Sequence, residues 1–152
     1  MLEKTEREGL VHATFNVREN QSFVCNCCSC CCGFLRGLKE FHAPYMLTRS
    51  NLVARIDRAT CSDCGVCANE RCPMQAIAAD GGDHQVMAER CIGCGVCSLA
   101  CPTDSIQLVR RPQAEQDVPP KNIVHWSVER LAGRSGLLKK MALRMWLARQ
   151  PD

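Results

Sequence analysis

Eight of the fourteen cysteines fall within residues 61–101. Cys61-Ser-Asp-Cys64-Gly-Val-Cys67 is followed by Cys72-Pro73, and Cys91-Ile-Gly-Cys94-Gly-Val-Cys97 by Cys101-Pro102. The first cysteines of the two runs are 30 residues apart. Thiolates at this spacing on tight loops can wrap three corners of an iron–sulfur cubane, and Gly65, Gly93 and Gly95 let the backbone approach the sulfides. A zinc ribbon would instead show two C-x2-C pairs with a longer spacer. Three thiols at x2 spacing followed by Cys-Pro, occurring twice, point to two [4Fe–4S] clusters.

On these motifs residues 52–110 resemble a bacterial-type ferredoxin domain with two [4Fe–4S] clusters. The resemblance covers a little over a third of the chain. It implies that the fourth cysteine of each run reaches across to the other cluster. One cluster then takes Cys61, Cys64, Cys67 and Cys101, and the other Cys91, Cys94, Cys97 and Cys72. The implied fold is α+β, with two short β-hairpins, two cluster loops and a pseudo-twofold internal repeat. One departure is the four residues between Cys67 and Cys72, where the family usually has three. The extra residue is expected to bulge that loop.

The other six cysteines crowd residues 25–32, Cys25-Asn-Cys27-Cys28-Ser-Cys30-Cys31-Cys32. Cys25, Cys28 and Cys31 fall in C-x2-C-x2-C phase, and Cys27 with Cys30 forms a further x2 pair. Neighbouring side chains diverge, so one metal cannot use all six. A third cluster or a zinc ion fits the spacing, with spare thiols left for disulfide exchange. More distantly, the whole chain is similar to the C-terminal part of larger Cys-rich ferredoxin-domain proteins of anaerobes.

The elements that must position these thiols are short. Residues 1–24 offer one or two turns of helix over Leu2 to Glu8, ending at Gly9. In the Cys-rich segment, 25–51, Phe34, Leu38 and Phe41 stand at helical spacing between Gly33 and Phe41. The ferredoxin domain, 52–110, should open with a strand at Leu52–Ile56 and turn a hairpin at Asp80-Gly81-Gly82-Asp83 between Ala76–Ala78 and Gln85–Ala88. It should close with a strand from Ile106 to Val109. His84 is expected to be exposed in the hairpin. Residues 111–124 read as a polar, proline-containing linker. Residues 125–152 read as a basic amphipathic helical tail with a break near Gly133 and Gly136, its apolar stripe carrying Leu137, Met141 and Met145.

Composition narrows the function. Residues 52–110 hold five Lys/Arg against seven Asp/Glu, and residues 111–152 eight against four. The cluster domain is therefore mildly acidic and the tail basic. The charged first residues carry no apolar leader, so a reducing cytoplasm is expected, where thiols stay free for metal. No nucleotide-binding Gly-rich fingerprint or acid–base constellation is present, which argues against a stand-alone enzyme. The expected function is one-electron transfer through two [4Fe–4S] clusters, to or from a redox partner protein. The alternatives are a redox-sensing or metal-handling module working at Cys25–Cys32, or a subunit of a larger oxidoreductase. The tail suits docking on protein better than a membrane surface, and no nucleic-acid motif accompanies its charge.

Overall fold

The computed structural model describes residues 1–43, 46–48, 50–80 and 83–134. Met1–Ala13 and Cys25–Asp117 make one compact unit, and Thr14–Val24 with the chain from Val118 makes a second.

The first unit mixes short helices with three two-stranded antiparallel sheets. Helix α1 (Leu2–Arg7) ends at Gly9, whose φ of +77° is a conformation that favours glycine. Strands β1 (Val11–Ala13) and β2 (Cys25–Cys27) pair with Val11 opposite Cys27. Helix α2 spans Gly33–Phe41, as its apolar spacing predicts, but it buries a different face. Leu35 is fully buried with Leu38 packed beside it, while Phe34 and Phe41 are 58% and 74% exposed. Gly37 explains the rotation, because a Cβ there would stand 3.0 Å from the Met46 side chain that lies over it.

Strand β3 (Leu52–Ile56) pairs with β6 (Ile106–Arg110), Leu52 opposite Arg110 and Ile56 opposite Ile106. Between them, β4 (Ile77–Asp80) and β5 (Asp83–Val86) form a hairpin. Only this inner pair is a hairpin. The outer pair joins the two ends of the cluster domain, so the expectation of two hairpins gives way to one hairpin and one long-range ladder. Ala54, Ala76, Ile77, Ile92, Val96 and Ile106 form the core, joined by Val11 and Leu35 from the N-terminal segment. Those two apolar side chains attach the Cys-rich extension to the cluster domain.

The stretch read as a linker begins with a buried anchor. Arg111 is 4% exposed, and its guanidinium donates to the carbonyls of Ser50, Ala88 and Cys91 at 3.2, 3.2 and 2.7 Å. Glu115 supplies a carboxylate 3.7 Å away. Asn51 then clasps Asp117, donating to its carbonyl at 2.7 Å and accepting from its N–H at 2.9 Å. A polar composition alone does not reveal that one arginine serves three carbonyls of the interior.

In the second unit, helix α4 (Ile123–Arg134) starts at an Asn122 cap, whose Oδ1 accepts from the N–H groups of Val124 and His125. The described helix includes Gly133 and ends at Arg134, so the break expected near Gly133 and Gly136 falls at the limit of the described residues. Phe15 packs edge-on against Phe23 at 4.6 Å between centroids, with Trp126 at 6.1 Å. Gly136 and the apolar stripe at Leu137, Met141 and Met145 lie outside the described residues. Among the described residues no helix is long and apolar enough to cross a membrane.

Replacing Arg111 by Leu leaves three carbonyls, that of Cys91 buried and those of Ser50 and Ala88 part-buried, without this donor, and a cost of about 2–4 kcal/mol is expected. Heating Arg111→Leu beside the parent protein should lower the thermal midpoint by several degrees, with Arg111→Lys intermediate because one ammonium cannot span all three carbonyls.

Candidate metal centre

Each cysteine run is a loop closed onto a short helical turn, and the same hydrogen bonds recur in both. The N–H of Cys61 donates to the Asp57 carbonyl at 3.1 Å, and that of Cys91 to the Met87 carbonyl at 3.0 Å. Gly65 and Gly95, at φ +74° and +82°, each accept from the residues three and four positions on. The Asp57 N–H donates to the Ser105 carbonyl and the Met87 N–H to the Ala76 carbonyl, both at 2.8 Å, so each run is tied to the exit of the other.

The runs differ where the spacing predicts. Cys97 lies in α3 (Val96–Leu99), and the Cys101 N–H reaches the Ser98 carbonyl at 3.2 Å. Cys67–Arg71 instead form a π-helical turn, with the Cys72 N–H bonded five residues back to the Cys67 carbonyl at 3.0 Å. The extra residue is absorbed as one wider turn. Arg71, on that turn, donates to the Arg7 carbonyl at 2.9 Å, and its side chain packs against Gly9.

A recess is lined by Cys72, Cys91, Cys94 and Cys97, with Ala54, Ile77, Ile92, Val86 and Leu108 among its apolar walls. Cys72 comes from the first run and the other three from the second. Burial, then the neighbouring Cys94, Cys72, Cys91 and Cys67, pushes the Cys97 thiol up to about 12. Burial raises Cys94 too, with Cys72 and Cys91 adding to the effect. Cys67 is raised by burial and then by Cys61 and Cys64. Thiolates can gather in so dry a place only around positive charge, and an iron–sulfur core is a soft cationic partner of that kind. The donor set fits the group.

Cys72 and Cys101, the last cysteine of each run, both accept from backbone N–H groups. The Ala76 N–H donates to Cys72 Sγ at 3.2 Å. At Cys101 burial works upward, but the Thr103 hydroxyl and the N–H groups of Thr103, Ser105 and Ile106 outweigh it and lower the thiol.

His84 was missed in the sequence as a site neighbour. It is 5% exposed, not exposed in the hairpin, and its Nδ1 stands 3.1 Å from Asp63 Oδ1 inside the Cys61–Cys64 loop. Asp63 is held below the usual carboxylate range by that contact, and further by the Cys61 thiol and Arg58. Arg58 also pairs with Asp83. Strand alternation carries the signal, since His84 is the inward residue between exposed Asp83 and Gln85.

The N-terminal cysteines are grouped otherwise than by x2 phase. Cys28, Cys30 and Cys31 converge, whereas Cys25 and Cys27 belong to β2. Burial and then Cys32 and Cys25 push Cys27 up to about 12. The Cys30 thiol and the Cys31 N–H both donate to Cys28 and hold it down at about 7, while Cys30, the donor, is raised to about 11.

This arrangement is that of a ferredoxin-type 4Fe-4S domain, and residues 54–108 match the family model of a 4Fe-4S dicluster domain. Over 70 residues the chain is 37% identical to the electron transport protein HydN of Escherichia coli, covering 43% of this chain and 40% of that one. It is 33% identical over 76 residues to a dihydromethanopterin reductase (acceptor) of Methanosarcina mazei, covering 49% of this chain and 32% of that one. An uncharacterized ferredoxin of Methanocaldococcus jannaschii is 42% identical over 52 residues, 32% of this chain and 34% of its own. The chain thus spans about two fifths of HydN's length and about a third of the other two.

A Cβ on Gly93 would stand 2.3 Å from the Leu52 carbonyl oxygen, at a φ of +70°, whereas one on Gly33 would meet nothing within 4 Å. Gly93→Ala is therefore expected to cost more than about 2 kcal/mol and to lower iron incorporation on reconstitution, with Gly33→Ala close to the parent. Iron assay and urea titration of the three proteins check this.

Proposed function

We propose that the chain is an electron carrier or electron-transfer subunit holding two [4Fe–4S] clusters in pseudo-twofold halves. One is held by Cys61, Cys64, Cys67 and Cys101, the other by Cys91, Cys94, Cys97 and Cys72. When bound, each cluster supplies a one-electron couple. The observation that carries the reading is the recess at which Cys72 of the first run meets Cys91, Cys94 and Cys97 of the second. Neither run alone can furnish that set.

The chain's own residues do the rest. Ala54, Ile77, Ile92 and Leu108 keep water from the recess, which disfavours added charge and so tunes the potential. N–H donors at Cys72 and Cys101 act in the opposite sense by stabilising negative sulfur. Cys67 lies close enough to Cys97 to raise it, and α3 packs on the Cys67–Arg71 turn, so the two thiol sets adjoin through these residues. That adjacency gives an electron a short route between the sets.

The partner is a redox protein. The names of the relatives, an electron transport protein and a reductase, favour service to an oxidoreductase. Working thiols of this kind require a reducing compartment.

Anaerobically purified protein should contain about eight irons and eight sulfides per chain. On reduction it should give EPR signals of two interacting centres. Cys72→Ser and Cys101→Ser should each perturb a single centre, and not the same one. Four irons with one isolated signal, or both variants affecting one centre, would overturn the assignment.

A further inference from the structure

Six thiols remain outside the two proposed sets, and the fold sorts them. Strand β2 ends at Cys27 and helix α2 begins at Gly33, so Cys28–Cys32 form the turn between them. The Cys32 N–H donates to the Cys28 carbonyl at 3.1 Å and closes that turn. Within it the sulfurs of Cys28, Cys30 and Cys31 all lie within 4.8 Å of one another. Cys28 and Cys30 approach to 2.8 Å and Cys30 and Cys31 to 3.6 Å, while the Cys31 N–H donates to Cys28 Sγ at 3.3 Å.

Packing does not account for this group. Unpaired cysteine behaves as a small hydrophobe and is usually buried. Here Cys30 and Cys31 are exposed and Cys28 half-buried. No other group of three Cys, His or acidic side chains converges so closely among the described residues.

We propose that Cys28, Cys30 and Cys31 form a three-thiolate site for one thiophilic d10 ion, zinc(II) fitting it with its fourth position open to solvent. Soft thiolate sets select such ions. Sulfurs at about 2.3 Å from a tetrahedral zinc stand roughly 3.8 Å apart. The Cys30–Cys31 separation already matches, and Cys28 must part from Cys30 by about 1 Å on that geometry. A small χ1 rotation of exposed side chains supplies the movement. A cubane binds each thiolate to a different iron and needs its ligands spread wider than one ion's coordination sphere. The group is therefore a single-ion site and not a third cluster. Three ligands from one exposed turn, with a position left open, make a site that exchanges its ion and can accept a ligand from solution, unlike a closed four-ligand structural site.

The site stands apart from the two proposed cluster sets, and iron content of the same samples reports on those independently. Holoprotein with its iron in place is freed of loose metal by a mild chelator under argon. It is then titrated with zinc(II) alone against a chromophoric competitor. One zinc per chain is expected, with zinc-edge absorption showing three sulfurs at about 2.3 Å and one oxygen or nitrogen. The triple variant Cys28→Ser, Cys30→Ser, Cys31→Ser should weaken binding by more than about 100-fold at unchanged iron content. The companion variant Cys25→Ser, Cys27→Ser, Cys32→Ser should stay within about threefold of the parent. Failure of the parent protein to bind zinc, four sulfurs around the ion, or binding lost only in the companion variant would overturn the proposal. So would loss of about four irons in the first variant, which would make the segment a cluster site.

Discussion

Everything in the larger unit answers to one electrostatic constraint. Thiols must be brought close together in a place too dry to ionise them unaided. Burial drives Cys97 to about 12 and lifts Cys94 and Cys67, so the folded chain alone holds a set of reluctant acids. Only a cationic core makes their deprotonation favourable, and its binding becomes part of the folding free energy. That coupling explains how a domain with so few aromatic residues can stand. Its core is built largely from small and medium apolar side chains, of which Ala54, Met74, Ala76, Ile77 and Ile92 also wall the recess, so a bound metal centre supplies cohesion that a larger apolar interior would otherwise provide.

The π-helical turn shows how an irregular sequence is accommodated. One residue beyond the three of the second run would shift Cys72 away from its recess if the turn stayed α-helical. Widening the hydrogen bond to five residues keeps Cys72 in place, and the surplus backbone carries Arg71 outward to the Arg7 carbonyl and to Gly9. The insertion is thus also an attachment point for the N-terminal segment, which Val11 and Leu35 secure from the apolar side.

Much of this was legible in the sequence because local rules govern it. Strand β3 and helix α2 fall on the residues that period and turn signals select, and the cysteine spacing names the cluster loops directly. What escaped depends on partners distant in the chain. His84 looks like a hairpin residue until strand alternation turns it beneath the Cys61–Cys64 loop to meet Asp63. Phe34 and Phe41 read as the buried face of α2, but Gly37 leaves a gap that Met46 fills and rotates the helix onto Leu35. Arg111 reads as the start of a polar linker because nothing local reveals three carbonyls waiting for donors. The grouping of the N-terminal thiols followed the turn between β2 and α2, not their numerical spacing.

The pairing of β3 with β6 carries a consequence for how the protein is made. Strand β3 emerges from the ribosome some fifty residues before the strand it pairs with. The hairpin β4–β5 can zip as soon as Val86 is out, but β3 keeps an unpaired edge until Arg110 has been added. During that interval the entry to the first cysteine run lacks its tie to the second, since the Ser105 carbonyl that receives the Asp57 N–H does not yet exist. Such long-range closure is slow and leaves strand edges open to wrong partners. The nascent chain therefore passes through a window in which its thiols are most open to oxidation, and that window closes from the C-terminal side.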